Sequence, residues 1–568
     1  MGSHSPRDLT GVRETIYQAI SEIRLIDPHT HINPHAAAST TLADILGYHY
    51  YTELVHSAGM PREEIEEPNL SPRELVGRMV GGLGRITNTA NYHWLIQICQ
   101  QFFGFGFDEI TRDNWEALYD AAESAMSSPG WAQSILDQSN VEAVFLTNDF
   151  DDDLAGFDVS TYIPCLRTDD LVFHLAKESV RDRLRDCSGI ELDSLQSLRD
   201  ALEQRFQHFV SRGARACAIS IPPTFIPTDV SEGRAVVAMD DILAKGTGAD
   251  PANRDAMSRK VFWTLAELCE QYRLPFDLMI GVNRGVYPAG VYQGQDLYDS
   301  RVSLIQYGEL FNAFPRVKFP ISVLASVTNQ ELVSYSWIFP NVYTNGHWWY
   351  SNTPSFIHRD AAARLEAVPR NKQVAYYSDA YKLEFVLPKF DMYRRVLSRI
   401  LAEEFVGENG WDEEKAIALG RQVLRGNVDE IFRDPSVTTT ESKADAETPA
   451  IAGAVTVAGE EATQRRADDL DAVPTDSEIE ATDLADVMLG QSVSETSLEE
   501  EIDDVPLDVG NILGEAEEIP PGPDQPGSNI HMLTGDGEFT PDGESVVLRP
   551  DPMTGELHFP VKEEQDDK

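Results

Sequence analysis

Two histidines one residue apart, His29 and His31, sit in the stretch Arg24-Leu-Ile-Asp-Pro-His-Thr-His-Ile-Asn33. Leu25 and Ile26 make the approach apolar and β-prone. In an extended chain, residues two apart point to the same side. Two imidazoles in that register converge on one point, as a divalent metal requires. The plain alternative is a pair of surface histidines beside a turn. A metal reading therefore needs a third ligand and a pocket from elsewhere in the chain.

The elements that would position such a site can be read from the spacing of apolar residues. Residues 9–23 have helical spacing, and the first strand follows at 24–33. Residues 34–140 read as helices separated by Gly, Pro and Asn, too much helix for one crossover, and are expected to form a helical insertion. Within it, Ser71 followed by Pro72 and Glu74 is a helix start with a capping box. Further strands are predicted at 141–149, 161–169, 214–222, 275–284, 317–326, 341–350 and 373–381, most of them followed by a helix. Eight such units predict an α/β fold, a distorted (β/α)8 barrel of the TIM type. The link at 150–160 is too short for a full helix, so the repeat is imperfect there. An open doubly wound sheet would carry a Gly-rich phosphate loop after its first strand, and none is present.

A barrel places its chemistry at the C-terminal ends of the strands. Reading those ends collects His29 and His31, Asn148 and Asp149, Arg167, Asn283 and Arg284, then Asn345, His347, Trp348 and Trp349, and last Asp379 with Tyr381 and Lys382 beyond it. Taken singly, Asp149 or Arg167 is an ordinary loop ion pair or helix cap. Charged and aromatic groups gathered at one rim are not what core packing alone would produce.

Of 568 residues, 42% are hydrophobic, ample for a large core, and the formal net charge is −48. The charge is uneven: from Asp434 onward there are 35 acidic and 6 basic residues, a net of −29. Neither part is basic enough to track a phosphate backbone, which excludes nucleic acid as a partner. No run of about 18 apolar residues is present, so no membrane span is expected. The start of the chain lacks an apolar signal core, and the expected location is cytoplasmic. Five scattered cysteines without a C-x-x-C fit reduced, buried thiols. Residues 1–433 are read as the barrel domain. Residues 434–568 are read as an acidic, mostly disordered tail of unknown partner, with a small β element near its end.

DPHTHINP, the pair His49-Tyr50, NYHWLIQICQQFFGF, YIPCLRTDD, GVNRGVYPAG, NGHWW and YYSDAYKLEFVLPKFDMYRRVLSRIL follow one another in order. In that order and spacing, roughly over residues 10–433, the chain resembles the glucuronate (uronate) isomerases, a divergent branch of the amidohydrolase superfamily. The resemblance implies an enzyme with a distorted barrel and a helical insertion after strand 1; a homo-oligomer acting on a small sugar acid is the expected assembly. It implies one divalent metal, usually zinc, with manganese, iron or cobalt suited to the same donors, held by His29, His31 and Asp379. It implies that His49 and Tyr50 reach the substrate, that Arg167 and Arg284 bind its carboxylate or hydroxyls, and that Asp379 or Tyr50 carries a proton. His347, Trp349 and Lys382 complete the expected substrate-binding set. The implied reaction interconverts an aldehyde sugar acid and its 2-keto isomer.

The chain departs from that family's pattern in the substrate shell. Ser220-Ile221-Pro222 stands where the family reads Ser-Asp-His, and Met279 takes the place of a histidine. Ser378-Asp379-Ala380-Tyr381 replaces Thr-Asp-Ser-Arg, and Glu53 and His56 replace arginines after the His-Tyr pair. These departures motivate two alternatives: a metal-dependent hydrolase, isomerase or lyase of another carbohydrate-related substrate, and a non-catalytic scaffold with an acidic interaction tail.

Overall fold

The computed structural model describes residues 9–435 and two short paired segments, Glu538–Phe539 and Ser545–Val546. In residues 9–435 the strands are β1 (Leu25–Asp27), β2 (Val141–Phe145), β3 in two pieces (Tyr162–Ile163 and Cys165–Arg167), β4 (Ala216–Ile221), β5 (Phe276–Ile280), β6 (Phe319–Val323), β7 (Val342–Asn345) and β8 (Gln373–Val374). All pair in parallel and in chain order, from β1 with β2 through β7 with β8. Pro164 splits β3, and Asn148–Asp149 pairs with its second piece. The ring is closed past the strand ends, where Asp379 N–H donates to His29 O at 3.1 Å and His31 N–H to Ala380 O at 2.8 Å. The fold is thus a distorted (β/α)8 barrel.

All eight strands are shorter than their sequence patterns suggest, β1 and β8 most of all. Asp27 is followed by Pro28, which has no N–H to offer a ladder. Residues 28–31 leave the regular ladder and bond individually, Thr30 N–H to Phe145 O and His31 N–H to Ala380 O. After Val374 the chain leaves the sheet, with Ala375 N–H turning to Val423 O.

Helices Leu42–Leu46, His49–Ser57, Arg62–Ile65, Pro72–Leu83, Ala90–Phe103, Trp115–Met126 and Trp131–Ser139 fill the stretch between β1 and β2. Ser71 and Glu74 form the expected capping box before Pro72. One end of the barrel is plugged by alternate strand residues (Ala143 and Phe145, Ile163 and Cys165, Ala216 and Ala218) against Val428, Ile431 and Phe432. That leaves the opposite, C-terminal end of the strands for a site. All five cysteines are free thiols, four of them buried. No described helix is long and apolar enough to cross a membrane.

Glu538–Phe539 and Ser545–Val546 pair antiparallel, a small β element where the sequence suggested one. The expected disorder of the acidic tail concerns residues outside those described.

Candidate active site

Residues 29–31 lie just beyond β1. Thr30 turns to β2, its hydroxyl donating to Phe145 O at 2.6 Å, and its neighbours face the barrel mouth together. His31 Nδ1 lies 2.9 Å from the Thr147 hydroxyl, which itself donates to Thr30 O. Thr147 must therefore accept from His31 Nδ1–H, leaving the Nε2 lone pair free. His29 Nδ1 is 4.0 Å from the Asp277 carboxylate.

Asp379 arrives from the segment after β8. Its Oδ1 is 3.5 Å from His29 Nε2 and 3.4 Å from His31 Nε2. One ligand atom from each of the three lies within 4.8 Å of the others. His29 Nε2 and Asp379 Oδ1 are buried without a hydrogen-bond partner. Buried polar atoms left unpartnered are costly. Two imidazole nitrogens and a carboxylate oxygen aimed at one point are the donor set that a divalent cation would satisfy. The second ring nitrogens, facing Thr147 and Asp277, match the outer contacts that orient metal-binding histidines.

Burial alone would raise Asp379, but the two imidazoles pull it well below the usual carboxylate range. Burial works against a charged His29, yet Asp379 and Asp277 lift it above its ordinary value; for His31 burial wins. His49 is pushed down to about 3 by burial and is neutral. Asp277 is pushed up to about 6 by burial.

A pocket opens over the three donors, with about 150 Å³ of space for water. Of the rim and site residues singled out from sequence, His29, His31, His49, Arg167, Arg284, Trp348, Trp349, Asp379 and Tyr381 line it. Tyr50 lies behind the wall, buried, its hydroxyl 3.4 Å from Asp379 Oδ2. His347 and Lys382 are not brought to the pocket. Gly346 adopts φ +47°, with the Tyr377 ring filling the space a Cβ would need, and His347 turns into the core against Tyr393. Lys382 donates to Ala36 O at 2.8 Å. Tyr381, two residues after Asp379, faces the pocket instead and stacks on His31 at 4.9 Å.

Both arginines are held by acids: Arg167 Nε is 3.2 Å from Asp169 and Arg284 Nη1 is 2.6 Å from Asp296. Asp296 belongs to the loop after β5, which docks on helix His49–Ser57. The Tyr287 ring stacks on His56, and Glu53 packs under Gly294. Glu53 is pushed up to about 8 by burial, with Asp296 adding to the effect. Ser220, Met279 and Tyr381, where the sequence departs from its resemblance, all line the pocket.

Sequence reading missed Asp277 and Asp296. Asp277 had a signal, a single acid inside the apolar strand Phe276–Ile280. Its carboxylate is held by Asn345 Nδ2 at 3.0 Å.

Fold and site together define a (β/α)8 barrel protein with three donors arranged for one divalent cation. A family model described as glucuronate isomerase matches residues 10–425. The chain belongs to that family. It is 23% identical to the uronate isomerase of Corynebacterium efficiens, over 68% of this chain and 89% of the relative. The uronate isomerase of Streptococcus equi subsp. zooepidemicus is also 23% identical, over 72% and 93%. Among solved structures, the uronate isomerase of Thermotoga maritima matches with a TM-score of 0.69 at 18% identity, over 76% of this chain and 100% of that one. The glucuronate isomerase of Caulobacter crescentus matches with a TM-score of 0.69 at 20% identity, over 77% and 98%. At these identities the solved structures speak to the fold.

Proposed function

We propose that this chain is a hexuronate isomerase, interconverting an aldehyde sugar acid of the D-glucuronate type and its 2-keto isomer of the D-fructuronate type. The observation that carries the reading is the meeting of His29, His31 and Asp379 within 4.8 Å on the floor of a pocket that also holds two arginines, in a chain of the glucuronate isomerase family. His29, His31 and Asp379 would hold one divalent cation, zinc first, with manganese, iron or cobalt suited to the same donors. Bound there, the ion supplies Lewis-acid polarisation of the C1 and C2 oxygens.

The chain's own groups do the rest. Arg167 and Arg284 each spend part of the guanidinium on a neighbouring aspartate, and the remaining N–H donors grip the C6 carboxylate. Neutral His49, which lines the pocket, meets a sugar hydroxyl. Trp349 and Trp348 offer apolar faces to the carbon chain. In the aldose-to-ketose direction the C2–H bond breaks and its electron pair becomes the C1–C2 double bond, while the C1 oxygen gains a proton. The enediol is then protonated at C1, and the C2 hydroxyl gives up its proton to become the ketone. Asp379 carries the carbon proton from C2 to C1. Tyr50, held protonated by burial, acts through its contact with Asp379 Oδ2.

The test is purified protein supplied with Zn²⁺ or Mn²⁺ and D-glucuronate, assayed for the ketose. Turnover is expected; no ketose, with metal bound in stoichiometric amount, would remove the reading. The proposal extends to residues 1–433 as the catalytic domain, to a cytoplasmic enzyme whose free thiols suit a reducing compartment, and to a homo-oligomer. The adjacent exposed Trp337 and Ile338 side chains are apolar surface that such an interface would cover.

A further inference from the structure

Asp379 has φ +54°, in the left-handed region that few side chains enter freely. Something must hold it there. Its neighbour Ser378 is gripped at both ends by buried charged side chains. The Ser378 N–H donates to Asp27 Oδ1 at 3.0 Å, and Lys389 Nζ donates to Ser378 O at 2.8 Å. One residue further on, the Tyr48 hydroxyl donates to Asp379 O at 3.1 Å. Lys389 Nζ also reaches that hydroxyl at 3.4 Å.

Asp27 and Lys389 are both 0% exposed. Burying an ammonium group and a carboxylate is expensive, and an apolar pair of similar volume would usually cost less. The ammonium sits among the rings of Tyr48, Tyr50 and Trp94, 5.4, 4.9 and 5.1 Å from their centroids. All three rings belong to the insertion between β1 and β2. Asp27 is the last residue of β1, and Lys389 lies in the helix Val386–Ile400. Three separate parts of the chain therefore meet on two adjacent backbone residues, Ser378 and Asp379. Neither charged group reaches the pocket, so neither has a direct part in the proposed proton transfer.

We propose that Asp27 and Lys389 are positioning residues, a buried charge clamp that holds the Ser378–Asp379 backbone in the conformation that points the Asp379 carboxylate at His29 and His31. The inference rests on the metal reading of those three donors. It makes the insertion part of the site, because its rings are what shelter the ammonium.

The test measures zinc affinity by competition with a chromophoric chelator, on full-length chains carrying Asp27→Ala, Lys389→Met, Lys389→Arg and the double change Asp27→Ala with Lys389→Met. Each single loss should weaken zinc binding about 10- to 100-fold, the range for lost outer contacts of a metal site. The double change should cost much less than the product of the two, and Lys389→Arg should recover most of the affinity. A purely structural role would lower the melting temperature and leave zinc affinity unmoved, and that result in the folded variants overturns the clamp. Should Lys389→Met not fold, Asp27→Ala decides in the same terms. Wild-type protein that binds zinc but does not isomerise contradicts the assigned reaction alone. Wild-type protein that takes up no zinc contradicts the metal reading and the clamp together.

Discussion

The two walls of the pocket are built in different ways. The inner wall, His29, His31 and Asp379, is tied by main-chain hydrogen bonds between the first and last barrel segments, Asp379 to His29 and His31 to Ala380. The outer wall, Arg284, Gln293 and Asp296, stands on a loop fastened by side chains to the insertion. The inner wall gathers the three donors that the resemblance implied, whereas Glu53, under the loop, and Met279, in the lining, stand at positions where the resemblance implied other residues. Backbone closure of a barrel fixes donors wherever the fold forms; a side-chain-docked loop can change what it presents without disturbing the strands. The difference separates the chemistry, assigned to the inner wall, from substrate choice, assigned to the outer.

The largest effect is expected from breaking the inner wall. Asp379→Asn should lower kcat by at least about a thousandfold, since it removes both a cation ligand and the proton carrier. A variant within tenfold of wild type would move the chemistry elsewhere. On the outer wall, Arg284→Met should raise KM for the sugar acid about 10- to 100-fold, the worth of a charge-assisted hydrogen bond, and change kcat far less. An equal fall in kcat with unchanged KM would erase the division between the walls.

Glu53 sharpens the comparison through pH. Its carboxyl is pushed from an ordinary 4.5 up to about 8 by burial. The folded chain therefore holds a proton that the unfolded chain has released between those values. The associated stability is complete below about pH 4.5 and is lost as pH rises through about 8. Relative to Glu53→Gln, wild-type melting temperature should fall by several degrees between pH 5 and pH 9, read by thermal unfolding across that range. Parallel curves would show that Glu53 is not a buried acid. The smallest effect belongs to neither wall. Ser71→Ala removes a helix cap and should cost about 1 kcal/mol of stability, measured by denaturant unfolding, with kcat and KM unchanged.

How much of this was legible in the sequence follows the same division. His29 and His31 could be paired because strand periodicity is local, and eight strand-helix units announced the barrel. Reading the strand ends of a barrel brought Asp379 to the same rim, but only the family resemblance joined it to them as a ligand, since nothing local links residues 350 positions apart. Lys382 was expected in the substrate-binding set, but the chain after Asp379 puts Tyr381 in the pocket and turns Lys382 to Ala36. His347 was lost to a turn at Gly346 that only the packed Tyr377 ring explains. Asp27, Asp277 and Lys389 are lone charges in apolar surroundings, and such residues acquire meaning only when their partners are placed. The loop bearing Asp296 depends on contacts such as Tyr287 with His56, 231 positions apart.

The most direct test of the central claim is a crystal of the protein grown with Zn²⁺ and measured at the zinc absorption edge. An anomalous peak about 2.0–2.2 Å from His29 Nε2, His31 Nε2 and an Asp379 oxygen is expected. A zinc peak elsewhere, or none, with the three side chains still gathered as described, would contradict it.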